Sequence, residues 1–481
     1  MTDRVERIVI VGGGVAGAMA AAALARVFGK RTLIHVISPG TAERVLPLTM
    51  SWPPLAAFHG LLGLDEAHLI ASIGASFSLG CRYRDWLAPG SAYFQSWGES
   101  GVRLANTPFH HHWIRARQAG REVGAFEDYD VAAVAARDGR FARPRGNDAA
   151  PGLPPFGYGM HFAIAPYVRY LRNFAEAQGV RFTPARVVGV AQEKGFIRSL
   201  ALDSGETVAG DLFLDCSGDA AVLMAALGSG YTRFDDVLFC DRVLTRTEPL
   251  RDAPLPYAEA IAREAGWELR LQAPGVALRA SVYSSRHAAE EAGSRAFGPG
   301  RRERFWSGNC IALGAAASVL DPLESTGLHL IHSGISKLMG MFPGKSCSGA
   351  ESDEYNRLLT DEHARILDKL VLHYVGAGRE DTSFWRDARS VPVSEQLERK
   401  MKVFAARGGL VLYDEESFLG SQWIAAFLGN GIVPARYDLF ADEIALDETA
   451  RLMAAQRKAV ADMVFAMPTH AAYLRQFNMK R

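Results

Sequence analysis

The chain has 481 residues, of which 48% are hydrophobic and 22% charged, an ordinary soluble composition with enough apolar surface for a sizeable core. Lysine plus arginine equals aspartate plus glutamate at 53 each, so the formal net charge is zero. No long-range field draws such a chain to nucleic acid or to an anionic membrane, and neither is expected as a partner.

The first element predicted is a short β-branched strand over residues 8–11. It is too short and too glycine-rich for a signal peptide or membrane span, so a cytoplasmic protein is expected. A glycine turn follows, then an alanine-rich helix over 16–26 and a second strand over 32–37. That order opens a parallel βαβ unit. Residues 89–158, rich in proline, glycine and aromatics, read as irregular. A helix is predicted over 166–178, a hairpin-like pair over 185–193 and 197–202, and a strand over 208–214. Residues 241–285 read as sheet with one inserted helix at 257–265. From residue 352 onward the pattern is helical, with loops near Gly376 and Gly429. No internal repeat is visible. The five cysteines, Cys81, Cys216, Cys240, Cys310 and Cys347, show no CxxC or Cys/His spacing and read as buried free thiols, with no metal site.

Three segments carry a dinucleotide signal. Gly12-x-Gly14-x-x-Gly17 lies between a strand and a helix, the context the motif needs. Gly12 permits the tight turn, Gly14 lets the backbone approach a pyrophosphate, and Gly17 lets the helix pack on the strand. The helix N-terminus at Val15 and Ala16 offers N–H groups and positive dipole. An acidic residue normally ends the second strand and holds the ribose. Here Ile37 and Ser38 stand there, which predicts an atypical, weaker adenosine contact. A second segment ends a strand in Asp215-Cys216-Ser217-Gly218. A third runs from Gly308 through Gly314 to Asp321-Pro322-Leu323-Glu324-Ser325-Thr326-Gly327-Leu328 and a helix. The first two segments, this far apart, favour FAD over NAD. The predicted fold class is α/β: an FAD-binding Rossmann-like module with an antiparallel sheet layer and a mostly helical substrate and C-terminal part. The expected division is residues 1–345 for the FAD module, with substrate-facing segments at about 46–150 and 220–300, and 346–481 for the helical part.

At these residues the sequence resembles the flavin-dependent tryptophan halogenases over nearly its whole length. The likeness includes Phe58-His59-x-Leu61-Leu62-Gly63, Gly74-Ala75-Ser76-Phe77, His161-Phe162, Cys240-Asp241-Arg242, Pro322-Leu323-Glu324-Ser325-Thr326-Gly327 and Phe384-Trp385. It implies that FAD, reduced by a separate flavin reductase, reacts with O2 and a chloride or bromide. Hypohalous acid then reaches a small aromatic substrate. It implies that the backbone N–H groups of Thr326 and Gly327 hold the halide and that Glu324 assists substitution on the ring. Glu324 reads equally as a structural carboxylate at the following helix's N-terminus.

The family lysine that captures the oxidant does not carry over. Its place between Phe77 and Leu79 is Ser78, whose hydroxyl forms no chloramine and carries no positive charge. A donor aimed at developing charge is worth about 3 kcal/mol. The Trp-x-Trp-x-Ile-Pro block reads Trp267-Glu268-Leu269-Arg270-Leu271-Gln272, the flavin strap carries Thr49, and His-Phe-Asp reads His161-Phe162-Ala163. His110, His111 and His112 cannot converge on one metal and read as surface or pocket-lining. His329 and His332 read as core or as lining the flavin or substrate side, and Trp86, Trp97, Trp113 and Trp267 as core or pocket walls. The readings that follow are a halogenase acting on an aromatic other than free tryptophan, a flavin monooxygenase or oxidase without halide chemistry, and a non-catalytic flavin- or ligand-binding homologue. A second copy of the chain stands as a candidate partner.

Overall fold

The computed structural model describes residues 3–40, 46–144 and 152–478. The chain divides into two compact units, each drawing on it three times: 1–74, 162–241 and 295–364 in one, 75–161, 242–294 and 365–481 in the other. Residues 346–364 therefore belong with the N-terminal strand.

The first unit is built on a six-stranded sheet. Its order is Trp306–Ser307, Cys310–Ala312, Leu212–Asp215, Arg7–Val11, Leu33–Ile37 and Arg181–Thr183. The central strands pair in parallel, Ile8 to Leu212 and to Ile34, because each returns through a crossover. The helix Val15–Phe28 packs against the helix Ile164–Ala177. Residues 16–25 are all buried, which only its run of alanines allows: small side chains let a helix be covered on every side.

The second unit carries a sheet in the order Arg242–Pro249, Val276–Tyr283, Gly266–Ala273, Ala258–Arg263, Gly80–Arg84 and Ala92–Ser96. Apart from the parallel pairing of Ala258–Arg263 with Gly80–Arg84, these neighbours are antiparallel. The helices Ser383–Arg389, Glu395–Arg407, Gly420–Gly429 and Leu446–Ala466 belong to this unit, and side chains of Thr382 and Ser394 cap the first two.

Three sequence expectations change. The helix expected over 257–265 is the strand Ala258–Arg263, whose alanines are buried between two neighbouring strands; tertiary pairing overrides their helical preference. The single strand expected over 208–214 is two, Thr207–Ala209 and Leu212–Asp215, in different sheets. Gly210 and Asp211 break the run, and the Asp211 carboxylate accepts from the N–H groups of Glu6 and Arg7. The irregular stretch at 89–158 contains the strand Ala92–Ser96 and the helices Phe109–Gln118 and Val131–Arg137, the latter capped by Asp130; residues 145–151 lie outside the described residues. All five cysteines are buried. No helix among the described residues is long and apolar enough to cross a membrane.

Candidate active site

In the first unit the glycine turn is filled by backbone. A Cβ on Gly12, at φ +115°, would lie 2.0 Å from the Cys216 carbonyl oxygen, and one on Gly17 would lie 1.9 Å from that of Gly12. One on Gly13 would meet Ser38 Oγ at 2.9 Å. Only glycine fits here. No side chain caps the helix at Gly14, and its first turn holds no acid. The first helical bond runs from Ala18 N–H to Gly14 O at 2.9 Å, so the Ala16 and Gly17 N–H groups precede it. This end of the helix suits an anion. Gly12 N–H donates to Ile37 O at 2.8 Å, tying the turn to the second strand, and Ser38 N–H donates to Thr183 O at 3.1 Å, tying that strand's end to the strand Arg181–Thr183.

Asp215 is fully buried, and its carboxylate accepts from Ser217 N–H, Ser217 Oγ, Leu223 N–H and Met224 N–H at 2.5–3.1 Å. Four donors occupy it, so its visible work is to hold the turn after the strand. Asp321 is also buried and caps Leu323 N–H at 3.0 Å. Glu324 is buried, and its carbonyl accepts from Trp52 Nε1 at 2.9 Å. Ser325 follows at φ +52°, and the helix Gly327–Gly340 starts at Thr326 without a side-chain cap. A Cβ on Gly327 would meet nothing within 4 Å, and Leu328 beside it is buried. Gly314, at φ +64°, sits against Ala16, 2.8 Å from where its Cβ would be. The third glycine segment thus lies beside the first.

The same helix carries an arrangement the sequence reading did not assemble. His329 stacks on Trp52 at 4.5 Å, and its Nε2 is 3.0 Å from Glu362 Oε1. Ser333 Oγ and Lys337 Nζ donate to Glu362 Oε2 at 2.6 and 3.1 Å. Burial opposes charge on Glu362, but the His329 hydrogen bond and the Lys337 ammonium hold its carboxyl well below the usual range. Positions 329, 333 and 337 recur at i, i+4 and i+8, a one-face signal the sequence offered. His59 is buried, its Nε2 2.8 Å from Tyr167 Oη, and burial lowers its pKa to about 4. His332, edge-on to Phe58, is lowered to about 4 by burial and by His329.

In the second unit Ser78 is fully buried on the strand Ser76–Ser78, which pairs antiparallel with the strand Gly159–Ala163: Ser76 opposite His161, Phe77 opposite Met160, Ser78 opposite Gly159. Among the described residues, Ser78 Oγ reaches only the Gly80 carbonyl, at 3.5 Å. On the strand Gly266–Ala273, Trp267, Leu269 and Leu271 point into the core. The other three tryptophans singled out are buried too.

The three consecutive histidines are a correction. They lie on the helix Phe109–Gln118 and all are buried, each with a backbone partner: His110 with Gly408 O, His111 with Asp438 N–H and His112 with Leu104 O. Core packing and not the surface takes them, and no metal-binding cluster occurs among the described residues. A cavity of about 520 Å³ in this unit is walled by Tyr93, Phe94, Trp113 and Phe126, with Glu127 and Asp130 on its lining and Arg117 and Arg121 beside them. Ser78 and His161 are not among its lining residues.

The family model for tryptophan halogenases matches residues 7–445. The chain belongs to the flavin-dependent tryptophan halogenase family. Its likeness to a tryptophan 6-halogenase of Streptomyces toxytricini is 28% identity, over 90% of this chain and 91% of the other. Among solved structures, BrvH, a flavin-dependent halogenase from Brevundimonas sp. BAL3, superposes with a TM-score of 0.95 at 34% identity, covering 99% of each chain. Xcc4156, a flavin-dependent halogenase from Xanthomonas campestris, gives 0.93 at 34% identity over 98% of each. The halogenase fold, with its Rossmann-like FAD-binding part, is thus that of the whole chain.

Proposed function

We propose that the chain halogenates an electron-rich aromatic substrate other than free tryptophan, using FAD reduced by a separate reductase, O2, and chloride or bromide. The observation that carries the reading is the glycine cradle. In a chain of this family, Gly12 and Gly17 leave no room for a side chain, and the uncapped helix at Gly14 offers the Ala16 and Gly17 N–H groups to an anion. Gly12, Gly14, Val15, Ala16 and Gly17 would hold the pyrophosphate, with Ser38 near the ribose. Gly314, Asp321 and Leu328 would hold the flavin end, and Asp215 would brace the turn between. When bound, reduced FAD supplies the two electrons that, with O2, turn halide into hypohalous acid. Thr326 and Gly327 N–H groups, at an uncapped helix end, suit the halide. Buried Glu324 would take the proton lost by the ring.

Free tryptophan is excluded from the proposal because Ser78 offers no amine, and Leu269, Leu271 and Gln272 replace the tryptophan-rich block. The test supplies FAD, a flavin reductase, NADH and O2 to the purified protein with chloride or bromide and a panel of indoles, phenols and anilines, with products read by mass spectrometry. Halide-dependent ring halogenation of a panel member, with little or no chlorotryptophan from tryptophan, is expected. Hydroxylation that ignores halide would replace this reading with a monooxygenase. Efficient tryptophan chlorination would refute the substrate assignment.

A further inference from the structure

His161 is fully buried, and its Nε2 has no hydrogen-bond partner among the described residues. Its other ring nitrogen settles the tautomer. Nδ1 lies 3.1 Å from the Gln272 carbonyl oxygen, which can only accept, so Nδ1 carries the proton and Nε2 presents a bare lone pair. His470, also buried nearby, is different: its Nδ1 bonds Pro254 O at 2.8 Å and its Nε2 accepts from Phe77 N–H at 3.3 Å. One imidazole is fully occupied by structure and the other only half. Burial, opposed by the Gln272 bond and reinforced by His470, lowers the His161 pKa to about 3, so the ring is neutral at working pH. A buried acceptor with no protein partner is open to a ligand.

The register places that lone pair beside the position of the missing lysine. Ser76 and Ser78 are two apart and share a face of their strand, and His161 stands directly opposite Ser76 on that face. Ser76 Oγ confirms it by reaching the same Gln272 carbonyl, at 3.4 Å. His161 and Ser78 are therefore diagonal neighbours, within reach of an aromatic side chain. Opposite Ser78 is Gly159, which adds no side chain of its own to that face. The nucleophile that an amine would have supplied has an imidazole for a neighbour.

Resting on the halogenase reading above, we propose that His161 is a catalytic residue that carries the halogen in place of a lysine. The Nε2 lone pair bonds to the halogen of hypohalous acid, the oxygen–halogen bond breaks, and the hydroxide released takes the Nδ1 proton to leave as water. The N-haloimidazole gives its halogen to a carbon of the aromatic ring, and the nitrogen–halogen electron pair returns to Nε2. The ring loses a proton to Glu324 as it regains aromaticity, Glu324 returns it to water, and a proton from water restores Nδ1–H to the Gln272 carbonyl. The halogen is reduced and the ring carbon oxidised in this second step; the first involves no net redox change.

The test bypasses flavin, so its failure is distinct from failure of the halogenase reading. Flavin-free protein is mixed with one equivalent of hypochlorous acid at pH 7, then by quenched flow with 1,3,5-trimethoxybenzene, and the chlorinated arene is measured. His161→Asn keeps an amide N–H where Nδ1 stood, and so the bond to Gln272, but has no atom at Nε2. It should lower the transferred chlorine at least tenfold, and adding Ser78→Lys to that variant should restore transfer by supplying an amine in the neighbouring position. Peptide mapping without the arene should place chlorine on the His161 peptide of the unmodified protein. Undiminished transfer by His161→Asn, or no recovery in the double variant, overturns the proposal. Independently of any variant's folding, NMR of [15N]histidine-labelled protein should find His161 protonated at Nδ1 and bare at Nε2; a proton on Nε2 overturns it.

Discussion

Gly17→Ala adds one methyl group at the point where the first helix leaves the first strand. Its Cβ would lie 1.9 Å from the Gly12 carbonyl oxygen, where ordinary contact begins at 3.4 Å, a shortfall of about 1.5 Å. Gly12 C is also close, at 3.0 Å, so backbone stands on the crowded side and no flexible side chain can yield. Gly12 cannot retreat easily, because a Cβ-sized shift toward Cys216 meets that residue's carbonyl. The helix start must move instead, and a displacement of that size takes the Ala16 and Gly17 N–H groups out of hydrogen-bond range of a bound phosphate. Overpacking costs about 1–3 kcal/mol in stability. Losing two charge-assisted bonds at about 1.5–3 kcal/mol each weakens FAD binding by roughly a hundredfold or more. Titration of the unmodified protein and the variant with oxidised and reduced FAD, beside thermal melts of each, separates the two effects. A variant that binds FAD as tightly as the parent would mean that the phosphates are not held at this turn.

Three further outcomes are expected. NADH or NADPH alone should leave bound FAD oxidised, because no second GxGxxG segment with its own domain is present; rapid bleaching of the flavin absorbance would contradict this. Burial holds His59, His363 and His470 near pKa 4, against 6.5 when unfolded, so the unfolded chain binds more protons between pH 6.5 and 4. Their contribution is whole above pH 6.5 and is lost as the pH falls toward 4, by about 1.4 kcal/mol per unit for each histidine. Asp130, raised to about 6 by burial, works the opposite way between pH 6 and 3.8; a melting temperature unchanged from pH 7 to 5 would show that the histidines are not buried and neutral. Lys400 and Glu416 form a buried ion pair, with the ammonium 3.8 Å over the Trp423 ring. Lys400→Ala should cost about 3–5 kcal/mol, while Lys400→Met with Glu416→Leu should recover most of it; a double variant no more stable than the single one would count against the pair.

The parts of this molecule legible in the sequence are those whose chemistry is local. Gly12 and Gly17 could be read because a turn between strand and helix forbids a side chain there, and the space is indeed taken by neighbouring backbone. Ser78 could be read as a departure because its flanking residues kept the family pattern. What could not be read depends on register and on partners far along the chain. The residues 257–265 look helical one at a time and become a strand only because two other strands bury their alanines. His329, Ser333 and Lys337 share a helix face by spacing alone, yet nothing local names Glu362, the carboxylate they converge on. His161 is the sharpest case. In the sequence it was one letter of a motif, and its tautomer depends on the carbonyl of Gln272, 111 residues away. A ring nitrogen becomes a bare lone pair only when the sheet has fixed which atom its other nitrogen faces, so the halogen carrier proposed here is one that no spacing rule could have found.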